Sequence, residues 1–322
     1  MYGSGDDLHA PRRVGLALGS GSARGWAHIG VIRALTEAGI DVECVAGTSM
    51  GAMVGAALVL NKIDVLEGFA RQLDRRQIVS FMDLTFPTSG LLDGKDIIDL
   101  FRGHVHATRI EDLPVPYCAI ATDLSTGREV VLRAGDLVEA IRASISVPGV
   151  FAPVKKDGSF LVDGGLVNPV PVSAVRSMGA DCVIAVDLNS DIVETRALIG
   201  SAAIDSTTES LEQPVAIQDG NVAQALSRKL KALGSPTLSH MRLRRRWEPV
   251  PSIFGVLTTA INIMEAHITA ANLMTSAPDL LIQPQLGRIR FLEFHRADEA
   301  IAEGYRETMA QLRKRGWLED AV

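Results

Sequence analysis

The segment from Val42 to Leu60 constrains the fold most, because its apolar pattern changes period at one short motif bounded by glycines. Residues 42–46 form a strand-like apolar run, residues 47–51 read Gly-Thr-Ser-Met-Gly, and residues 52–60 are small, apolar and helix-forming. The segment approaches the roughly 20 apolar residues that a membrane span needs. A change of period at glycines is instead typical of a strand, a tight turn and a helix. We therefore predict a buried strand–turn–helix unit here.

A Gly-x-Ser-x-Gly motif at such a turn has a specific chemical use. The flanking glycines, Gly47 and Gly51, permit a sharp bend and leave room around Ser49, whose hydroxyl then projects beyond the sheet edge. The N-terminus of the following helix favours negative charge that develops at the same place. A chain with 29 glycines also produces this spacing by chance. The strand before the motif and the helix after it are what favour a nucleophilic serine.

A second glycine-rich turn lies near the N-terminus. Residues 14–18 predict a strand, residues 19–25 form a loop that reads Gly-Ser-Gly-Ser-Ala-Arg-Gly, and residues 26–38 predict an amphipathic helix. Gly39 ends that helix. Backbone N–H groups at this turn would face an anion, either an oxyanion or the phosphate of a nucleotide. Gly25 comes one place too late for the dinucleotide-binding spacing and no Walker lysine follows, which disfavours the phosphate alternative.

A catalytic serine needs a base, for which the chain offers late histidines and one acidic loop. Hydrolases of the usual order place their histidine after the serine, but His267 lies in a helical pattern, His295 opens another, and His240 stands in a polar stretch beside arginines. Asp163 follows a strand and precedes two glycines, Gly164 and Gly165, which would expose it at a loop. An Asp-Gly-Gly sequence is also typical of an ordinary turn.

Three motifs, taken in order, resemble the patatin-like phospholipases, and most closely the bacterial branch related to neuropathy target esterase. They are the loop at 19–25 with the Ala-His-Ile-Gly-Val sequence at 27–31, the Gly-x-Ser-x-Gly motif, and the acidic loop at 163–165. The resemblance implies a three-layer α/β fold with a central, mostly parallel sheet covered by helices on both faces. Three further segments also look like the family, so that the resemblance covers most of the chain: 121–127, 143–151 and 251–274.

The resemblance implies a dyad in which Ser49 is the nucleophile and Asp163 its base, with no catalytic histidine, metal or cofactor. A carboxylate with its usual pKa near 4 is a weak base, but apolar neighbours such as residues 160–162 raise that value. The reaction would be hydrolysis of an acyl ester through an acyl-enzyme. The substrate class would be lipid or lysophospholipid esters.

The oxyanion hole, carried over from the family, would consist of backbone N–H groups around Gly21 and Ser22, with Arg24 beside them. The loop departs from the family's glycine run at Ser20 and Ser22. Backbone donors survive such a change, because every residue except proline carries an N–H group. An alternative function is a regulatory or adaptor protein on the same fold, with little or incidental esterase activity.

Composition and charge restrict the compartment and the partners. The formal net charge is −6, which provides no field to attract nucleic acid, and we exclude that partner. Cys44, Cys118 and Cys182 lie in separate apolar runs without metal-ligand spacing, and we expect them to be reduced core residues. Residues 1–13 have no apolar stretch typical of a secretion signal, so we expect a cytoplasmic chain.

The pattern of strands and helices predicts one domain with an insertion. We expect a flexible N-terminus at 1–12, a catalytic core at 13–189, a mobile insertion at 190–251, and a segment at 252–322 that completes the same domain. Within the insertion, the basic stretch at 242–247 is either a solvated or subunit-contacting charge run, which we favour, or a peripheral contact with the inner membrane surface. The oligomeric state stays open.

Overall fold

A computed structural model of the chain describes residues 13–74, 108–192 and 253–318. The domain boundaries proposed above are not tested by these ranges, because the insertion at 190–251 falls almost wholly outside them. The sequence also predicts apolar loop residues at 81–92 and an amphipathic helix at 222–233, and both segments lie outside the described residues. The basic stretch at 242–247 and His240 lie outside them as well.

The described part of the chain contains one sheet of eight strands. Strands β1, β2, β3, β7 and β8 run parallel to their neighbours in the order β3-β2-β1-β7-β8, while β4 and β6 pair antiparallel with β3, and β5 pairs antiparallel with β6. The predicted central, mostly parallel sheet is therefore confirmed. The strands are β1 Val14–Leu18, β2 Cys44–Thr48, β3 Tyr117–Asp123, β4 Glu129–Leu132, β5 Val154–Lys156, β6 Ser159–Asp163, β7 Cys182–Val186 and β8 Leu280–Ile282.

Seven α-helices connect or flank these strands within the described ranges. None of them is long and apolar enough to cross a membrane. The helices are α1 Ala27–Glu37, α2 Met50–Val59, α3 Ile63–Gln72, α4 Leu137–Ser144, α5 Val172–Ser177, α6 Ile253–Thr275 and α7 Ala297–Arg315. Short 3-10 turns occur at Ser22–Trp26, Ile110–Asp112, Gly164–Leu166 and Phe294–Arg296.

The sheet separates two apolar cores, because successive side chains of a strand point to opposite faces. In β1, Leu16 and Leu18 join the larger core, whereas Ala17 joins the smaller one. In β2, Val45 and Ala46 divide between the cores in the same way. Side chains of α1, α2 and α7 complete the larger core and those of α5 the smaller one. Helices thus cover both faces of the sheet, as predicted.

The strand that precedes the serine motif is shifted relative to its prediction at 42–46. Strand β2 begins at Cys44 and continues to Thr48, because parallel pairing with β1 extends to Gly47 and pairing with β3 extends to Thr48. Helix α2 begins at Met50. The turn predicted over 47–51 is therefore confined to the single residue between strand and helix.

Candidate active site

Ser49 occupies that single position, and its backbone is strained there. Its φ of 57° and ψ of −122° lie in a region that non-glycine residues rarely adopt. The flanking glycines make the turn sterically feasible. A Cβ at Gly47 would lie 2.4 Å from the backbone N of Ala52, and one at Gly51 would lie 2.1 Å from the carbonyl O of Leu18. Residues 47–51 are called the elbow below.

Two hydroxyl groups hold the elbow in place. The N–H of Ser49 donates to Ser144 Oγ at 2.9 Å, and the Ser144 hydroxyl donates in turn to the carbonyl O of Ile120 at 2.6 Å. The hydroxyl of Thr48 donates to the carbonyl O of Asn168 at 2.8 Å. The first contact fixes the backbone of the serine, and the second ties the end of β2 to the chain that follows Asp163.

The structure brings Ser49 and Asp163 together. Strand β3 lies between β2 and β6. Its Ile120 pairs with Thr48 at the end of β2, and the next residue, Ala121, pairs with Asp163 at the end of β6. The Ser49 hydroxyl donates to Asp163 Oδ2 at 2.5 Å, a short distance typical of a hydroxyl bonded to a carboxylate. Both side chains are nearly buried, at 5% exposure for Ser49 and 2% for Asp163.

The acidic loop, residues 163–165, shapes the electrostatics of Asp163. Burial raises the pKa of Asp163 to about 7, although hydrogen bonds from the Ser49 hydroxyl and from the N–H of Gly165 favour the ionised form. The Gly165 N–H donates to Asp163 Oδ1 at 2.7 Å, which leaves Oδ2 to face the serine. A carboxylate with a pKa near neutrality is a competent general base at physiological pH.

The oxyanion loop, residues 19–25, presents two backbone donors. The N–H of Ala23 donates to Phe291 O at 3.1 Å, and that of Arg24 to Gly21 O at 3.1 Å. Within the described ranges, the N–H groups of Gly21 and Ser22 donate to no backbone acceptor. These are the two donors that the family resemblance assigns to an oxyanion, and that role requires N–H groups that can bond to the substrate.

Ser22 takes the place of a family glycine and adopts a glycine-like backbone. Its φ is 48°, in the left-handed region that favours glycine. The Ser22 hydroxyl donates to the carbonyl O of Phe291 at 2.5 Å, which anchors the loop at that residue. The departure from the family pattern is therefore accommodated by one side-chain contact.

Arg24 is buried at 1% exposure and turned toward α6. Its Nη2 donates to Asn262 Oδ1 at 3.0 Å, and its Nε donates to the carbonyl O of Gly21 at 3.3 Å. The guanidinium therefore braces the oxyanion loop against the helix. A buried positive charge at this place also stabilises negative charge nearby.

Comparisons with known proteins identify the family of this chain. The family profile described as Patatin-like phospholipase matches residues 16–176. An uncharacterized NTE family protein of Mycobacterium tuberculosis is 36% identical over 320 residues, which cover 91% of this chain and 89% of that protein. The chain belongs to the patatin-like phospholipase family. The resemblance inferred from the three motifs is thereby confirmed.

Other members of the patatin-like phospholipase family match over smaller parts of their length. Lysophospholipase NTE1 of Pyricularia oryzae is 29% identical over 320 residues, which cover 95% of this chain and 19% of that protein. A patatin-like phospholipase domain-containing protein of Caenorhabditis elegans is 41% identical over 187 residues, or 55% of this chain and 14% of that protein. Among solved structures, VipD from Legionella pneumophila has a TM-score of 0.47 at 14% identity and covers 95% of this chain and 67% of that chain.

The described histidines of this patatin-family chain contact other groups. His267 is exposed on α6, and its Nδ1 lies 2.8 Å from the carbonyl O of Ile263 in the same helix. His295 lies partly exposed in the 3-10 turn before α7. His28 is fully buried and its Nε2 lies 2.8 Å from the carbonyl O of Gly19, while burial lowers the pKa of His28 to about 4. We therefore expect His28 to be neutral at physiological pH.

Sequence reasoning missed several residues that complete the site. Ser144 lies in the 143–151 segment that looks like the family, but an isolated serine carries no chemical pattern of its own. Asn262 and Glu265 lie in the 251–274 segment, which also looks like the family, but its helical pattern does not single out individual polar residues. The described residues hold no group of three or more His, Cys, Asp or Glu side chains placed to bind a metal ion.

Proposed function

We propose that this chain is a serine hydrolase that cleaves acyl esters of lipids, with lysophospholipids as the favoured substrate class. The observation that carries the proposal is the 2.5 Å hydrogen bond from the Ser49 hydroxyl to Asp163 at a strained elbow. Membership of the patatin-like phospholipase family supports lipid ester hydrolysis. The similarity to a relative named lysophospholipase supports the substrate class.

Acylation begins when Ser49 Oγ attacks the carbonyl carbon of the ester and its proton passes to Asp163 Oδ2. The carbonyl oxygen becomes an oxyanion, which accepts hydrogen bonds from the N–H groups of Gly21 and Ser22. Asp163 then gives its proton to the departing alcohol oxygen as the carbon–oxygen bond breaks. The products of this half-reaction are the free alcohol and an acyl group on Ser49.

Deacylation repeats the proton transfers in the opposite direction. Asp163 takes a proton from an attacking water molecule, and the same two N–H groups stabilise the second oxyanion. The acyl–oxygen bond to Ser49 breaks, and the serine oxygen regains a proton through Asp163. The pKa of about 7 for Asp163 suits both roles, because the group accepts and returns a proton near neutral pH.

The alternatives have less support. An adaptor function does not require a serine in a strained backbone with its hydroxyl bonded to a buried carboxylate. A nucleotide site at the oxyanion loop is disfavoured by the glycine spacing and by family membership. Contact with a membrane surface stays a prediction, because the basic stretch at 242–247 lies outside the described residues. The cytoplasmic compartment stays a prediction as well.

Intact-mass analysis after fluorophosphonate treatment tests the proposal. We expect the wild-type protein to gain one label and to hydrolyse both a short p-nitrophenyl ester and a lysophospholipid. Ser49→Ala should gain no label and lose turnover by at least about 10,000-fold, since the nucleophile is gone. Asp163→Asn should lose about 1,000-fold or more, because asparagine cannot accept the serine proton.

His267→Ala provides the matched control, because His267 contacts only its own helix among the described groups. It should label and turn over like the wild type. Absence of both labelling and turnover in a folded wild-type protein would contradict the hydrolase proposal. That result would favour the adaptor alternative.

A further inference from the structure

Helix α6 places a glutamate, Glu265, beside the candidate active site. The side chain of Glu265 is only 6% exposed, and glutamate is rarely so buried unless it has a specific partner. The same face of the helix carries Asn262, the partner of Arg24, one turn earlier. Ile263 and Met264, which lie between them in sequence, point outward and are exposed. The buried face of α6 is therefore polar where it meets the catalytic loops.

Glu265 contacts both loops and the chain that follows β7. Its Oε2 accepts a hydrogen bond from Asn189 Nδ2 at 2.9 Å. The same amide donates to Ser20 Oγ of the oxyanion loop at 3.3 Å, and the Ser20 side chain interacts with Glu265. Its other oxygen faces the acidic loop. The position that a Cβ on Gly165 would take lies 2.1 Å from Glu265 Oε1 and 3.1 Å from Asp163 Oδ1. The two carboxyl groups thus face the same small volume.

The charges around Glu265 come from several elements. Asp163 faces it from the end of β6 and Arg24 from the oxyanion loop. Asp187 and Asp191, which follow β7, also interact with Arg24. The buried region around Glu265 therefore contains more carboxyl groups than guanidinium groups. Like charges in such surroundings cannot all ionise at neutral pH, so at least one carboxyl group must keep its proton.

The geometry favours Glu265 as the group that keeps it, because both oxygens of Asp163 already accept hydrogen bonds, Oδ2 from the Ser49 hydroxyl and Oδ1 from the Gly165 N–H. Burial, and to a smaller extent the charge of Asp163, raise the pKa of Glu265 to about 8, with Arg24, Ser20 and Asn189 opposing part of that rise. Asp163 has the lower pKa of the two, about 7. Because Asp163 ionises first, its negative charge acts on Glu265.

We propose that Glu265 is a positioning residue of the hydrolase, which stays protonated at neutral pH and thereby keeps a single negative charge, that of Asp163, beside the reacting serine. This inference rests on the proposed function. As a neutral group, Glu265 also holds Ser20 and abuts Gly165, which fixes the distance between the oxyanion loop and the acidic loop. Ionised Glu265 would place a second negative charge beside the developing oxyanion and oppose acylation.

The test compares pH profiles of ester hydrolysis for wild type, Glu265→Gln, Glu265→Ala and Thr269→Val. Wild-type kcat/KM should fall above pH ~8 as Glu265 ionises. Glutamine cannot ionise, so the ratio of Glu265→Gln to wild-type activity should rise about tenfold between pH 7 and pH 9. Glu265→Ala removes the contacts to both loops and should be less active than Glu265→Gln at every pH.

Thr269→Val is the matched control, because Thr269 is buried on α6 one turn after Glu265. Its profile should keep the wild-type alkaline fall. A purely structural role for Glu265 predicts a uniform loss of activity in both Glu265 variants, with an unchanged profile shape. That outcome would overturn the proposal.

A second measurement needs no catalysis and separates this inference from the proposed function. A glutamate whose pKa is raised from 4.5 to about 8 in the folded state stabilises the fold fully below pH 4.5. That stabilisation is lost progressively as the pH rises to about 8. The urea midpoint of Glu265→Gln should therefore rise relative to that of wild type between pH 5 and pH 8.5. A constant difference would overturn the inference even if the enzyme proves active, and a rising one would support it even if the labelling fails.

Discussion

The elbow and the acidic loop each position one member of the proposed dyad, and they do so by different physical means. In the elbow, the backbone of Gly51 packs directly against the backbone of β1, since a Cβ at Gly51 would lie 2.1 Å from the carbonyl O of Leu18. The second glycine of the acidic loop faces a side chain, since a Cβ at Gly165 would lie 2.1 Å from Glu265 Oε1. That side chain comes from a helix about one hundred residues later in the chain.

This difference shows that the position of Ser49 and the pKa of Asp163 have separate structural origins. The strained φ of Ser49 and the start of α2 at Met50 follow from a five-residue motif. The raised pKa of Asp163 follows from burial, which requires the packing of distant elements. The position of the proposed nucleophile is therefore encoded locally, and the pKa of its proposed base is a property of the folded chain.

We expect the largest loss of stability from a substitution in the elbow. Gly51→Ala places a methyl group against backbone that cannot move aside, so we expect a loss of about 3 kcal/mol or more in the free energy of unfolding. Urea denaturation measures it. Gly68→Ala in α3 is the control, because a Cβ there meets nothing within 4 Å and alanine is the better helix former, by about 1 kcal/mol. A Gly51→Ala protein as stable as wild type would contradict the steric account.

The acidic loop predicts a pH dependence of intermediate size. Asp163 must be ionised to accept the serine proton, and its pKa is raised to about 7 by burial. Activity should therefore rise with pH through 7, and kcat/KM at pH 5 should be about 100-fold below its plateau. His267→Ala should keep this acid limb. A midpoint near pH 4 in the pH profile would show that burial does not strengthen the base.

The sequence predicted the parts of the fold that depend on local pattern. The strand before Ser49, the helix after it and the long C-terminal helices were all expected, because their apolar periodicity or glycine boundaries are visible in short windows. Strand β2 was displaced by two residues, since its ends depend on pairing with β1 and β3 rather than on its own composition. The short strand β5 was not predicted, and nothing in its three residues is distinctive.

The residues of the candidate site likewise fall into those that a local motif predicts and those that only the folded chain brings together. Ser49 and Asp163 were identified because each lies in a motif, and the order of motifs matched a family. Ser144 and Glu265 were not, because their roles exist only when β3, α4 and α6 are packed against the two loops. Hydrophobic periodicity does not predict which polar residue of a helix is buried. In the sequence, Glu265 is only one interruption of an apolar repeat.

The two glycines of the acidic loop provide the smallest and most specific test of the comparison. A Cβ at Gly164 would lie 2.3 Å from the backbone O of Ile120, whereas the nearest atom to a Cβ at Gly165 is Glu265 Oε1. Neither glycine has a left-handed φ, so alanine adds crowding without backbone strain. In urea denaturation, Glu265→Ala should therefore relieve about 1 kcal/mol of the cost of Gly165→Ala and should combine additively with Gly164→Ala, within roughly 0.5 kcal/mol. Additive effects at both positions would mean that the acidic loop, like the elbow, is held by backbone alone, and that Glu265 contributes nothing to its position.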